Sequence, residues 1–291
     1  WMFDGEDALG QVTSMSLDNQ RNLKLAIHKD PLFMRVAEEV ADGMNAWSMG
    51  FFGRKIVPDW QKQLDFTTKI FRARGLHLDD RHIRIASTGV ALSASIVDTT
   101  LYVVNNYRAL QAAGSSIVLY LPKIQTASEA ALWNAMLSAL EHYLELPEGT
   151  IKTYVLIEQL EATFQLMEIR AALGKHFVGY NTGRWDYINS VADAMCWDLE
   201  FINPNIEEIT MTYGYMRVYE DRVRRAVNTP DAKGNYALWQ GGMEPNIPVG
   251  SKKGVADSMQ KAIAGAEREQ REGASGKWVA HWKMVHIVRP V

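Results

Sequence analysis

Cysteine is almost missing from this sequence: Cys196 is the only one in 291 residues, so no disulfide can close within the chain. A disulfide-stapled scaffold is excluded, and a reducing compartment is the default expectation, with the cytoplasm first. Charge of one sign is also missing. The 31 Lys and Arg stand against 34 Asp and Glu, a net charge of −3, without the basic surplus that a nucleic-acid backbone or an anionic membrane surface attracts. Long hydrophobic runs are lacking too. The most apolar window, Ile83 to Val104, is broken by Arg84, Ser93, Ser95 and Asp98 and falls short of the roughly 20 apolar residues of a membrane span. No basic-then-apolar leader is seen, and a sequence that opens on Trp1 and stops at Val291 after an apolar stretch reads as a piece of a longer one. No G-x-G-x-x-G follows a strand-like run, no Walker A motif occurs and no G-x-S-x-G occurs, which argues against a Rossmann sheet, a P-loop and a Ser/His/Asp hydrolase. What is present is a folding composition. Apolar residues make up 47% and aromatics 10%, which excludes a disordered or low-complexity chain.

Short β-rich runs alternate with helical stretches through the middle of the sequence. Ser116 to Leu121 is a continuous apolar run closed by Pro122 and Lys123. Thr126-Ala127-Ser128-Glu129 has the form of a capping box and opens a helix carrying Ala130, Trp133, Leu137 and Leu140 at helical spacing. Lys152 to Ile157 is the next strand, ending in Glu158, and a helix from Phe164 to Leu173 follows. Phe177 to Tyr180 reads as a strand, Tyr213 to Val227 as a helix, Tyr236 to Trp239 as a strand, Lys253 to Arg271 as an amphipathic helix ending at Gly273 and Lys277 to Ala280 as a final strand. Strands apolar on both faces belong to parallel sheets covered by helices. Repeated βα units over this length predict an α/β fold, first a (β/α)8 TIM barrel and second a doubly wound sheet, in one domain spanning residues 1–291. Several strands end in a polar group: Lys123, Glu158, Asn181 and His281, with Asp4, Glu6 and Asp7 after a first short strand. In a barrel such ends converge on the mouth where chemistry sits.

Glu158 and Asp186 lie one βα unit apart. Two carboxylates so placed can hold a hard cation, share a proton as an acid/base pair, or join a structural ion-pair network. With no His or Cys beside them, oxygen donors alone favour magnesium over zinc. The acids of Asp4-Gly5-Glu6-Asp7 form, taken locally, an exposed acidic loop. Arg74 either stabilises an oxyanion or pairs with a surface carboxylate. His77 and His82, five apart, match no common metal spacing, and Cys196 between Met195 and Trp197 reads as a buried, inert thiol. Without a basic face, the Trp and Tyr content reads as core packing rather than base stacking.

Several strings are more specific. Val155-Leu156-Ile157-Glu158, then Gly179-Tyr180-Asn181-Thr182-Gly183-Arg184-Trp185-Asp186-Tyr187-Ile188, resemble the signature of the malate synthase family, particularly its A-type branch. Asp4-Gly5-Glu6-Asp7, Arg74-Gly75-Leu76-His77-Leu78, Tyr120-Leu121-Pro122-Lys123, Gly241-Gly242-Met243 with Ile247-Pro248, and Trp278-Val279-Ala280-His281 resemble further blocks of that family, in order. The resemblance implies a TIM-barrel portion, incomplete at its N-terminus, of a transferase. Its reaction would be the magnesium-dependent (Mg2+) Claisen condensation of acetyl-CoA with glyoxylate, followed by thioester hydrolysis to malate and CoA. That step belongs to the glyoxylate bypass of the tricarboxylic acid cycle.

The resemblance further implies Glu158 and Asp186 as metal ligands, and Asp4 and Asp7 as holders of metal-bound waters. Backbone N–H groups around Gly183, Arg184, Trp185 and Asp186 would receive the glyoxylate carboxylate, and Arg74 would stabilise the enolate. Met243 would line the substrate pocket, with Trp278 and His281 on the CoA side. Where the family pattern continues from this last block with Pro-Gly, Trp282-Lys283 stands here. The family's catalytic base is an aspartate of a C-terminal helical lid domain that this sequence is expected to lack; no residue here matches its motif, so the chain by itself is expected to bind metal and glyoxylate better than it turns over. Nucleic acid and membrane are not expected partners, the oligomeric state is not fixed by the sequence, and a eukaryotic relative would reside in the peroxisome or glyoxysome. Two other functions fit the same residues: a malyl-CoA or citryl-CoA lyase sharing the barrel, the metal and an enolate, and a non-catalytic barrel that keeps metal and ligand binding.

Overall fold

In the computed structural model, which describes residues 1–7 and 15–291, strands and helices alternate along most of the chain. They are β1 (Met2–Asp4), α1 (Met15–Ile27), α2 (Pro31–Phe52), α3 (Trp60–Phe66), β2 (Ile70–Arg72), β3 (Asp79–Arg84), β4 (Ala91–Ser93), α4 (Ala94–Ala112) and β5 (Ile117–Leu121). There follow α5 (Ala127–Tyr143), β6 (Ile151–Ile157), α6 (Leu166–Leu173), β7 (Phe177–Thr182), α7 (Arg184–Ala194), α8 (Gly214–Val227), β8 (Leu238–Glu244), α9 (Lys252–Glu272), β9 (Gly276–Val279) and α10 (Val285–Val288). Residues 1–122 with 135–153 form one compact unit, and residues 123–134 with 154–291 form a second.

In the first unit β1, β2 and β5 run parallel, with Met2 opposite Ile70 and Ile70 opposite Val118. Every residue of β2 and β5 is buried, as expected of strands covered on both faces. Helix α4 supplies part of that cover: the Phe71 ring stacks on Tyr102 at 4.7 Å between centroids, and both are buried. The antiparallel pair β3–β4 stands apart as a two-stranded ribbon that leads directly into α4.

In the second unit β7, β8 and β9 run parallel, with Gly179 opposite Leu238 and Gln240 opposite Gly276. Helix α8 buries Met216, Tyr219, Val223, Ala226 and Val227, an apolar stripe at helical spacing. Helix α9 packs Ala262 and Ala266 against Met284, Ile287 and Val288. It ends where the sequence places its stop, at Gly273 in the left-handed region (φ 100°). The capping box is also realised. Glu129 Oε2 accepts from the backbone N–H of Thr126 at 2.8 Å, and Thr126 Oγ1 accepts from the N–H of Glu129 at 3.3 Å, reciprocal bonds that start α5.

Three local expectations shift. Strand β8 starts two residues later than Tyr236 and runs on past Trp239 to Glu244, through the Gly241-Gly242 pair. A Cβ on Gly241 would collide with the carboxylate of Glu269, so glycine here marks close approach inside a strand rather than its end. The helix expected from Phe164 breaks into a 3-10 turn (Glu161–Phe164) followed by α6. Cys196 is exposed rather than buried. It sits in the turn just past α7, beside a Trp197 that is 90% exposed, so its apolar sequence neighbours do not form core around it. No helix among the described residues is long and apolar enough to cross a membrane.

Candidate active site

Glu158 follows the last residue of β6, and Asp186 lies in the first turn of α7. Both belong to the second unit, so the strand end and the helix start bring these two expected carboxylates together. Glu158 is fully buried. Its Oε1 accepts from the backbone N–H of Lys123 at 2.8 Å. The Lys123 ammonium lies 3.2 Å from Glu158 Oε2 and 3.2 Å from Asp186 Oδ1. Burial pushes the Glu158 carboxyl up to about 8, helped by the neighbouring Asp186 carboxylate and opposed by the Lys123 ammonium. Lys123 holds this position with a left-handed backbone, φ 55°, which costs a non-glycine residue free energy and marks a position fixed by its surroundings.

Gly183 makes the junction possible. A Cβ there would lie 2.8 Å from Glu158 Cβ and 2.8 Å from Leu156 Cδ1, too close for any side chain. Its N–H reaches Tyr219 Oη at 2.7 Å and the Ile157 carbonyl at 3.1 Å, and the Tyr219 hydroxyl donates to that same carbonyl. Tyr219 is buried and stacks on Tyr187 of α7 at 3.9 Å. Because glycine offers no side chain to cap α7, the first N–H groups of this helix have the dipole and the geometry that receive a carboxylate.

The side chain of Arg184 is turned to other work. Its Nη2 donates to the Ile209 carbonyl at 2.5 Å and its guanidinium lies 4.5 Å over the Trp185 ring. Burial lowers its pKa against the pull of Glu244. Its Nε is buried without a hydrogen-bond partner among the described residues. Met243, on β8, is half exposed. Trp278 lies on β9, and His281 follows it with Nδ1 accepting from the N–H of Lys283 at 3.2 Å; desolvation and Lys283 lower the His281 pKa.

In the first unit the acids of the opening motif gather on a residue the sequence reading passed over. Arg72 Nε donates to Asp4 Oδ1 at 2.7 Å, and its Nη2 lies 2.5 Å from Asp4 Oδ2 and 2.9 Å from Asp7 Oδ2. Glu6 Oε2 is 3.2 Å from Nη1. Burial alone would raise Asp4, but the bonds and charge of Arg72 outweigh it and hold the carboxyl below its usual range. The bland reading of an exposed acidic loop thus gives way to a buried-arginine cluster. Arg74, two residues on, pairs with Asp98 and Asp80, each at 2.8 Å from Nη2. These two aspartates, Arg72 and Lys123 as an ion partner are what sequence reasoning missed. Lys123 stood in a recognisable block, whereas Asp98 lies 24 residues from Arg74 with no local signal.

Among the described residues no three His, Cys, Asp or Glu side chains cluster as a complete metal cage. The Glu158–Asp186 pair still fits a hard divalent cation. It offers oxygen donors only, one of them wholly buried, and it already surrounds a positive charge in the Lys123 ammonium. A cation that retains water and takes one or two carboxylates suits such a pair.

The family model for the malate synthase TIM barrel domain matches residues 68–291. Malate synthase A of Escherichia coli is 33% identical over 281 residues, covering 97% of this chain and 48% of that protein. The chain thus spans about half the length of the curated relatives it matches. Among solved structures, the lead(II) complex of Haloferax volcanii malate synthase matches at TM-score 0.60 and 13% identity, over 100% of this chain and 64% of that one. A citrate lyase from Burkholderia xenovorans matches at TM-score 0.56 and 15% identity, over 99% of this chain and 66% of that one. At these identities the structures speak for the fold alone. By its sequence this α/β chain belongs to the malate synthase family, with residues 68–291 forming that family's TIM-barrel domain.

Proposed function

We propose that the chain carries the metal and glyoxylate half of a malate synthase active site, working on acetyl-CoA and glyoxylate with magnesium as the cation. The observation that carries this reading is the Glu158–Asp186 pair closed around a positive charge at a strand end and a helix start. Glu158 and Asp186 would hold the magnesium ion, which would supply Lewis acidity toward the aldehyde of glyoxylate.

The remaining work falls to the chain's own groups. The uncapped first turn of α7 receives the glyoxylate carboxylate through backbone N–H groups, which fixes the aldehyde for attack. Gly183 and Tyr219 hold that turn against the end of β6. Arg74, assigned by its family motif, donates hydrogen bonds to the thioester oxygen as the methyl carbon of acetyl-CoA gives its proton to the aspartate that the family carries in its C-terminal helical domain, a residue with no match here, and negative charge moves onto that oxygen. The carbanion carbon then bonds to the aldehyde carbon, and water cleaves the thioester to release malate and CoA. Asp4 and Asp7, to which the resemblance gives the metal's waters, are held by Arg72 within their own unit. Met243, Trp278 and His281 line the approach.

The test is incubation of the full-length protein, with the helical domain that carries the family's base, with glyoxylate, acetyl-CoA and magnesium, reading free thiol and malate together. Equal release of both, abolished by Asp186→Ala, is expected. Malyl-CoA accumulating without thiol would assign the site to a C–C lyase instead. Magnesium-dependent glyoxylate binding that survives Asp186→Ala unchanged in a calorimeter would remove the ligand assignment, and binding without turnover would leave a non-catalytic barrel.

A further inference from the structure

Arg74 is held more tightly than an oxyanion donor on a loop needs to be for folding alone, and the way it is held leaves one of its nitrogens uncommitted. Asp98, on α4, accepts from Arg74 three times: Oδ2 from the backbone N–H at 3.0 Å and from Nε at 2.9 Å, Oδ1 from Nη2 at 2.8 Å. Asp80 Oδ2 takes a further bond from Nη2 at 2.8 Å. The two carboxylates are almost fully buried, with side-chain exposures of 3% for Asp80 and 4% for Asp98, against 16% for Arg74.

Each carboxylate is itself fixed. Asp80 Oδ1 accepts from the N–H groups of His82 and Ile83 at 2.8 and 2.9 Å, so only Oδ2 is left to face Arg74. Asp98 is carried by α4, whose first turn is tied to the Arg74 segment by Ser95 Oγ donating to the Arg74 carbonyl at 2.7 Å and by Ala94 N–H donating to Leu78 O at 2.8 Å. A guanidinium has N–H bonds on Nε, Nη1 and Nη2 in one rigid plane. Here the Nε bond and both Nη2 bonds are spent on carboxylates, and neither N–H of Nη1 has an acceptor among the described residues.

We propose that Asp98 and Asp80 are positioning residues for the family reaction: they clamp the plane of the Arg74 guanidinium so that Nη1 alone is presented to the negative oxygen formed from the thioester. The proposal rests on the reading of Arg74 as the oxyanion donor. The side-on contact by Asp98 sets the plane, because a bidentate carboxylate–guanidinium pair is rigid. Asp80, bound to the far hydrogen of Nη2, prevents rotation about the Nε–Cζ bond from exchanging the two terminal nitrogens. A donor fixed in advance needs no reorganisation as charge develops, which is where such a group acts on rate rather than on binding. The two aspartates serve geometry, since their charges by themselves oppose an approaching anion.

Three variants of the same full-length protein test this, Arg74→Ala, Asp98→Asn and Asp80→Asn, each first checked for an unchanged Tm. Loss of one oxyanion donor costs on the order of 100- to 1000-fold in kcat, the fall expected for R74A. D98N is expected to lower kcat roughly 10- to 100-fold with KM for glyoxylate within about threefold, because ground-state binding of glyoxylate does not use Arg74. Independently of activity, nitrogen NMR of the arginine side chains should show resolved Nη1 and Nη2 signals for Arg74, merging in D98N or D80N as rotation is freed. Guanidinium ion added to R74A should restore turnover, and the rescue should vanish in R74A/D98N. Full turnover by R74A removes the reading beneath the proposal. An inactive R74A beside D98N and D80N that keep wild-type kcat and resolved signals leaves that reading standing and overturns the clamp.

Discussion

Gly183 is the position at which one methyl group should disturb both stability and the metal site. An alanine Cβ there would stand 2.8 Å from Glu158 Cβ and 2.8 Å from Leu156 Cδ1. The Leu156 methyl can turn away, but Glu158 Cβ is tied to a strand end and to a carboxylate held by Lys123. Relief must therefore come from a shift of the β6 end against the first turn of α7. Overpacking of this kind costs about 1–3 kcal/mol, which corresponds to a fall in Tm of roughly 2–10 °C for a chain of this size. Displacing Glu158 by a few tenths of an ångström should also weaken magnesium binding about 10- to 100-fold, the usual effect of disturbing the support of a ligand. The control is Gly43, inside α2, where an added Cβ meets nothing within 4 Å. Gly43→Ala should raise stability by up to about 1 kcal/mol through helix propensity alone and leave metal affinity untouched. Thermal melts and isothermal calorimetry on both variants decide it. If Gly183→Ala melts and binds magnesium like the parent, the close packing at this junction does not set the carboxylate position and the reasoning fails.

Other outcomes follow from the same contacts. Lys123→Met removes a competing cation from beside two carboxylates; counting only the partly exposed Lys123–Asp186 contact at about 1 kcal/mol, magnesium should bind at least roughly fivefold more tightly while the metal-free Tm falls, and weaker binding would show that Lys123 supports the metal rather than opposing it. Asp4 is held below its ordinary value of 3.8 by Arg72. A depressed carboxyl contributes stability that is present above the unfolded value and is lost as pH falls through the folded one. The drop in Tm from pH 7 to pH 3 should accordingly be smaller in Asp4→Asn than in the parent, and equal drops would detach Asp4 from acid stability. Cys196 is exposed, so Ellman's reagent should titrate one thiol in the native protein without denaturant; a thiol that reacts only after unfolding would place it in the core.

How much of this was legible in the residues differs from place to place for physical reasons. The capping box at Thr126–Glu129 and the Gly273 stop of α9 were readable because they are local: the partners stand within a few residues and the bonds form inside one turn. Strand β5 was readable within one residue, since a run buried on both faces must be apolar throughout. Strand β8 runs on past the expected Trp239 through Gly241 and Gly242, and the Glu269 carboxylate that excludes a side chain at Gly241 is a contact 28 positions away with no local signal. Cys196 was misread because apolar neighbours in sequence need not be neighbours in space. The pairing of Glu158 with Asp186 was anticipated from strand-end logic and family motif together, but not the Lys123 ammonium between them.

The sequence by itself determined the alternation of apolar strands and amphipathic helices, the family, and the identity of the acids and the arginine available for chemistry, because those follow from composition, period and motif. Only the tertiary structure decided which charge meets which. Asp4 and Asp7 converge on Arg72, Asp98 and Asp80 on Arg74, and Lys123 on Glu158 and Asp186. The physical reason is that a salt bridge is fixed by a few ångströms of distance and by burial, and neither is encoded in the spacing of residues 24, 35 or 68 positions apart. A carboxylate's type is written in the chain; its partner, and with it the carboxylate's pKa and role, is set by the fold.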